Sequence, residues 1–146
     1  MYSKSFAIKN ISEIKIISDE LVRLSESNNL FLFEGEMGSG KTTLIKSVVS
    51  SFGVEDANSP TYSIINTYSG NKSRLIYHVD CFRIEKQNEV ENIGLLEIIN
   101  DENLCFIEWP KKINNFLPTN CVKINIKVEQ ELRKIIVSIL VYLMTY

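Results

Sequence analysis

Three prolines, six glycines and three cysteines in 146 residues are too few for a collagen-like, linker-rich or disulfide-stapled chain. Cys81, Cys105 and Cys121 are odd in number, and no two lie at C-x-x-C spacing. That pattern excludes both a zinc framework and a disulfide framework, and leaves free thiols in a reducing, cytoplasmic setting as the expectation. Long hydrophobic runs are also lacking. The longest, Ile135 to Met144, contains Ser138 and is about half the ~20 residues of a membrane span, so it reads as a terminal core strand. Met1 to Asn10 has no apolar h-region, so neither a secretory signal nor a membrane partner is expected. A basic excess is missing too: 16 Lys+Arg stand against 18 Asp+Glu, for a net charge of −2. Proteins that grip DNA or RNA with their own surface carry a basic stripe, and here the nearest feature is the pair Lys111-Lys112. DNA is therefore not an expected partner, and any link to RNA is expected to run through another protein.

What is present is an ordinary globular composition, 45% apolar and 23% charged, without repeats or low-complexity tracts. One domain spanning 1–146 is the simplest organisation. Phe6 to Ile8 reads as an opening strand. Ser12 reads as the N-cap of a helix carrying Ile14, Ile17, Leu21 and Leu24 at spacings of three and four. Leu30 to Phe33 is continuously apolar, as in a strand covered on both faces. A second helical pattern, Leu44, Ile45, Val48, Val49 and Phe52, closes at Gly53. Tyr62 to Tyr68 and Arg74 to Val79 read as an antiparallel hairpin turned at Gly70-Asn71. Val90 to Asn100 reads as a helix weakened at Gly94. Leu104 to Ile107 reads as a buried strand, and Val122 to Val128 with Lys134 to Val141 as a closing hairpin. The fold class expected is α/β: a phosphate-loop NTPase-like mixed sheet flanked by helices, with antiparallel hairpin additions.

Between the first buried strand and the second helix lies Gly35-Glu36-Met37-Gly38-Ser39-Gly40-Lys41-Thr42, which fits G-x-x-x-x-G-K-[ST]. Average composition would produce the four fixed positions in a chain of this length roughly once in 200. The strand–loop–helix setting is the one the motif requires. Backbone N–H groups of such a loop converge on phosphate oxygens, and the helix N-terminus favours the anion. Glu36, Met37, Gly38, Ser39 and Gly40 are thus candidate nucleotide contacts. Lys41 would reach the β- and γ-phosphates, the Thr42 hydroxyl would ligate Mg²⁺, and Thr43 would serve the α-phosphate.

Such a site also needs a carboxylate at the end of a buried strand. Two segments offer one: Leu75 to Val79 runs into Asp80, and Leu104 to Ile107 runs into Glu108. One acid can hold the metal and the other can orient the attacking water, and the sequence does not divide the roles between them. His78 shares a strand face with Asp80, either as part of the site or as a hydrogen-bonded structural residue. Trp109, directly after Glu108, is a candidate for stacking at the nucleotide or for filling the core.

Together, Gly35 to Thr43, Ser59-Pro60-Thr61-Tyr62, His78-Val79-Asp80-Cys81-Phe82-Arg83 and Glu108-Trp109-Pro110 resemble the bacterial TsaE (YjeE) family in order and spacing. The resemblance runs from about residue 6 to about residue 128. It implies the small ATPase of tRNA threonylcarbamoyladenosine (t6A) synthesis, which acts on adenosine 37 through the TsaB–TsaD pair and meets tRNA indirectly. It implies ATP and Mg²⁺ as cofactors. It casts Ser59 to Thr61 as a switch-like loop near the γ-phosphate, Asp80 and Glu108 as metal and water carboxylates, and Trp109 as a neighbour of the site. One departure stands out. Where the family often has Leu-Tyr-Arg after the aspartate, this chain has Cys81-Phe82-Arg83, so the tyrosine hydroxyl is missing.

The loop also resembles that of shikimate kinase, which makes a small-molecule kinase the alternative. A kinase closes a lid over its acceptor, usually with arginines. Only Arg23, Arg74, Arg83 and Arg133 are available, and of these only Arg83 adjoins a motif. A module in which ATP binding alone controls a partner is a third reading. The short chain shows no acceptor pocket or lid, so the expected output is a change in a partner.

Overall fold

The computed structural model describes residues 1–55, 57, 64–71 and 74–140. Among these residues, seven strands form one mixed sheet: β1 (Tyr2–Ile8), β2 (Leu30–Gly35), β3 (Ile65–Ser69), β4 (Leu75–Asp80), β5 (Leu104–Glu108), β6 (Val122–Glu129) and β7 (Leu132–Ile139). Their order is β1-β7-β6-β2-β5-β4-β3. The four central strands β6, β2, β5 and β4 run parallel, and antiparallel pairs close both edges.

Strand sequences follow their coverage. In β2, Phe31 and Phe33 pack beneath α1 (Ile14–Leu24) and α2 (Lys41–Ser51), with Phe106 5.2 and 6.0 Å away between ring centroids. Leu30 and Leu32 face the opposite layer, formed by α3 (Gln87–Asn92), α4 (Leu95–Ile99) and a 3-10 segment over Pro110–Phe116. A strand buried on both faces needs apolar side chains at every position, which explains the continuous run. In β6, Val122, Ile124 and Ile126 are buried while Lys123, Asn125 and Lys127 are not, the alternation of a sheet covered on one face.

Two expectations change. Ser12 does not cap α1: it lies inside a 3-10 turn over Ile11–Glu13, and no side chain caps either start. The helix expected over Val90 to Asn100 is two short helices, broken at Gly94. The closing hairpin forms over Val122–Glu129 and Leu132–Ile139 and inserts between β1 and β2, and Val141 lies outside the described residues. Tyr62 and the Ser59-Pro60-Thr61 segment lie outside the described residues.

Candidate functional site: a phosphate loop facing two strand-end carboxylates

The loop from Gly35 to Gly40 leaves the end of β2 and enters α2. Gly40 opens the helix at φ +110°, a conformation that side-chain-bearing residues rarely adopt. Gly35 is fixed by space: a Cβ there would lie 2.6 Å from Ser39 Oγ and 2.8 Å from the Ile126 carbonyl oxygen. Lys41 Nζ folds back to donate to the carbonyl oxygens of Gly35 and Glu36, the latter at 3.1 Å, and sits 4.2 Å from the Trp109 ring centroid. The ammonium is thus held over the loop by groups that phosphate oxygens could replace. Burial lowers the Lys41 pKa, opposed by the nearby Glu108 and Asp80 carboxylates.

Parallel pairing sets the acids. Glu108 ends β5, the immediate neighbour of β2, opposite Phe33. Asp80 ends β4, one strand further out, opposite Glu108. Glu108 is 3% exposed and spans two partners. Its Oε1 accepts the Thr42 hydroxyl at 2.8 Å, and its Oε2 lies 2.7 Å from Nε2 of the buried His78. Asp80 Oδ1 accepts the Phe82 N–H at 3.0 Å. Burial raises the Asp80 pKa, that N–H opposing it. His78 is therefore both structural and part of the site, since its ring is what fixes the glutamate. Trp109 takes a left-handed backbone conformation, φ 57° and ψ 51°, at the end of β5. That bend sets its ring against Lys41 and, at 5.0 Å between centroids, against Phe82. The Phe82 ring, which carries no hydroxyl, thus makes a tilted contact with the indole, at 52° between ring planes.

A cleft of about 310 Å³ collects Met37 to Thr43, Asp80, Glu108 and Trp109, as the sequence predicts. Glu36 is not in its lining; its carbonyl holds Lys41 while the residue borders a neighbouring cleft. Thr61 lies outside the described residues. Arg83, the arginine nearest a motif, is exposed and absent from the lining. The arginine that does reach the loop is Arg133 on β7, whose Nε donates to the Ser39 carbonyl at 3.0 Å. No motif marks it, and only the insertion of the closing hairpin beside β2 could have revealed it. The second cleft, about 590 Å³, was also not foreseen. It adjoins the loop between Glu34, Met37, Trp109, Lys111, Lys127 and Val128.

Two carboxylates and a hydroxyl are hard oxygen donors suited to Mg²⁺, which normally completes its shell with water and substrate phosphates. The donor set fits that cation, and the loop fits a polyphosphate.

Comparisons with known proteins agree with this arrangement. The family model TsaE, Threonylcarbamoyl adenosine biosynthesis protein TsaE, matches residues 8–136. The tRNA threonylcarbamoyladenosine biosynthesis protein TsaE of Bacillus subtilis is 34% identical over 119 residues, 81% of this chain and 73% of the relative. That of Haemophilus influenzae is 29% identical over 123 residues, 83% of this chain and 77% of the relative. The crystal structure of Bacillus subtilis YdiB superposes with a TM-score of 0.75 at 24% identity, covering 94% of this chain and 86% of that one, and shows the same fold. A match that takes in the phosphate loop, both strand-end acids and most of the sheet places the chain in the TsaE family, whose role is in the biosynthesis of threonylcarbamoyladenosine in tRNA.

Proposed function

We propose that this chain binds ATP with Mg²⁺ and hydrolyses it, slowly when alone, and that its ATP cycle sustains turnover of a TsaB–TsaD complex in the cytoplasm. The observation that carries the reading is the Thr42 Oγ1 to Glu108 Oε1 bond of 2.8 Å, beside a lysine folded over the phosphate loop.

Lys41 would exchange its carbonyl partners for β- and γ-phosphate oxygens. Thr42 and Glu108, already in contact, would hold the cation, whose chemistry is to neutralise charge on those phosphates. His78 keeps Glu108 in place. Asp80, one strand further out and bonded through one oxygen to the Phe82 N–H, would orient the attacking water. The one arginine in the cleft lining among the described residues, Arg133, has its Nε committed to the Ser39 carbonyl, so transition-state charge has little help from the free chain. That favours slow hydrolysis by the free protein and a faster rate once a partner completes the site. In the cleft lining, Met37 and Phe82 are 71% and 44% exposed, which suits a surface covered by another protein. The net charge of −2 suits tRNA held by that partner assembly.

ATP hydrolysis should be measured with and without purified TsaB–TsaD, alongside t6A formation on tRNA. Lys41→Ala should abolish nucleotide binding, and Glu108→Ala should spare much of it while reducing hydrolysis. Normal t6A formation with Lys41→Ala, or high turnover indifferent to TsaB–TsaD, would sink the proposal.

A further inference from the structure

The two faces of the sheet are covered unequally. Alternate residues of β6 and β7, such as Ile124, Ile126, Ile135 and Val137, are buried in the cluster under α1 and α2. The layer of α3, α4 and the Pro110–Phe116 segment packs on β2, β4 and β5, and its cluster holds no residue of β1, β6 or β7. On that side the three strands lie open. Strand register gathers their outward side chains into rows. Lys123 stands beside Ser138 and then Ser3, Asn125 beside Ile136 and then Ser5, and Lys127 beside Lys134. All of these are exposed except the half-buried Ser138. Lys123 and Lys127 lie about 13 Å apart along β6 at ordinary strand rise. The three strands carry one acid, Glu129, and Lys134 pairs with it at 2.9 Å. Lys123 and Lys127 have no ion pair among the described residues. At the end of β6, Lys127 joins Lys111 in lining the cleft of about 590 Å³, where Glu34 and Glu36 mark the limit of the basic area.

We propose that this open face of β1, β7 and β6 is a contact surface for the phosphate backbone of RNA. Composition decides between a polyanion and a protein as its occupant. Protein interfaces are depleted of lysine and serine and rely on aromatic anchors at their centre, and no aromatic residue stands in these rows. Phosphate contacts come from lysine, serine and asparagine, the residue types gathered here. A serine hydroxyl or an asparagine amide can also meet a ribose 2′-OH. RNA is the polyanion that belongs to the family's role in tRNA modification. The lysines are scattered in the sequence because strand alternation spaces them out, and only pairing of the strands brings them together. Two or three phosphate contacts cannot hold RNA alone at physiological salt, which agrees with the net charge of −2. The face adds to a hold that another protein supplies. No nucleotide at the phosphate loop is needed for this contact.

The test is fluorescence anisotropy of labelled, unmodified tRNA with the free chain, from about 20 to 200 mM salt. Wild-type binding should be measurable at the low end and weaken with a log–log slope of about −2 to −3, as for about three phosphate contacts. Lys123→Gln combined with Lys127→Gln should weaken binding roughly 10-fold at low salt and flatten the slope by about 2. Lys15→Gln combined with Lys86→Gln removes the same charge from α1 and from the residue before α3. That control should stay within about twofold of the wild type and keep its slope. Equal losses in the two combinations would assign binding to net charge and overturn the proposal. Wild-type protein that leaves the tRNA anisotropy unchanged at about 20 mM salt would overturn it too. So would a face variant that binds tRNA like the wild type but loses purified TsaB–TsaD in calorimetry, which would make the face a protein-docking surface.

Discussion

His78 Nε2 and Glu108 Oε2 lie 2.7 Å apart, with the two side chains 1% and 3% exposed. An ionised carboxylate offers only acceptors, so the imidazole donates its Nε2 proton and its tautomer is set by the acid. The other carboxylate oxygen accepts from Thr42, so the chain Thr42–Glu108–His78 ties the first turn of α2 to β5 and β4. His78→Ala should leave Glu108 buried with half its support. The expected cost is about 1–3 kcal/mol in denaturant unfolding. Hydrolysis should fall roughly 10- to 100-fold with ATP affinity less affected, since the loop itself is untouched. A variant as stable and active as the wild type would show that His78 does not position the glutamate.

The single tryptophan of the chain is Trp109. Its ring sees the Lys41 ammonium at 4.2 Å and the Phe82 ring at 5.0 Å. Drawing Lys41 onto phosphates changes the charge over the indole, so emission should change saturably on titration with ATP·Mg²⁺. Lys41→Ala should remove most of the response. Phe82→Ala should shift the resting spectrum and keep the response. Calorimetric binding without any emission change would mean that Lys41 stays where it is when the ligand arrives.

Much of this was legible in the residues, for identifiable reasons. Strands β2 and β5 are buried on both faces and therefore read as unbroken apolar runs. The phosphate loop, the two strand-end acids and the α/β class followed from such local patterns. Arg133 did not, because its contact with Ser39 depends on strand order, which periodicity does not encode. Which acid contacts Thr42 also depends on strand order: Glu108 reaches it because β5, and not β4, adjoins β2. Ser12 misled because a polar residue before an apolar stripe resembles a cap, while the chain there makes a 3-10 turn with no side-chain cap at all. The break at Gly94 was visible as a weak point, and its cause is local: Gly94 takes φ +74°, which no helix continues through.

All three cysteines are free and buried, at 0%, 1% and 1% exposure. Burial pushes the Cys81 thiol up to about 12, and raises Cys105 and Cys121 as well. The thiolate is the reactive form, so these side chains should be inert in the folded protein. An aromatic disulfide reagent at pH 8 should react slowly with native protein and titrate three thiols in denaturant. A fast-reacting thiol under native conditions would show that the layer over β4 and β5 opens readily.

Glu20 joins β1 to α1. Its carboxylate accepts from Arg23 at 2.6 and 3.2 Å and from the Tyr2 hydroxyl, and Lys4 lies 3.7 Å away. The Arg23 guanidinium is the main reason its pKa falls from an ordinary 4.5 to about 2, against the opposing effect of burial. A carboxyl whose folded pKa is depressed contributes stability that is fully present above the unfolded value and is lost as pH falls through the folded one. The contribution should therefore be intact above about pH 5 and fade between about pH 4.5 and 2. Denaturant midpoints measured from pH 6 down to 2 should show this arm. Glu20→Gln should flatten it and lower the plateau at neutral pH, because the amide keeps the shape and loses the charge that Arg23 and Lys4 face. An unchanged acid arm in Glu20→Gln would place the acid sensitivity of the fold on other carboxylates and reduce the β1–α1 link to packing.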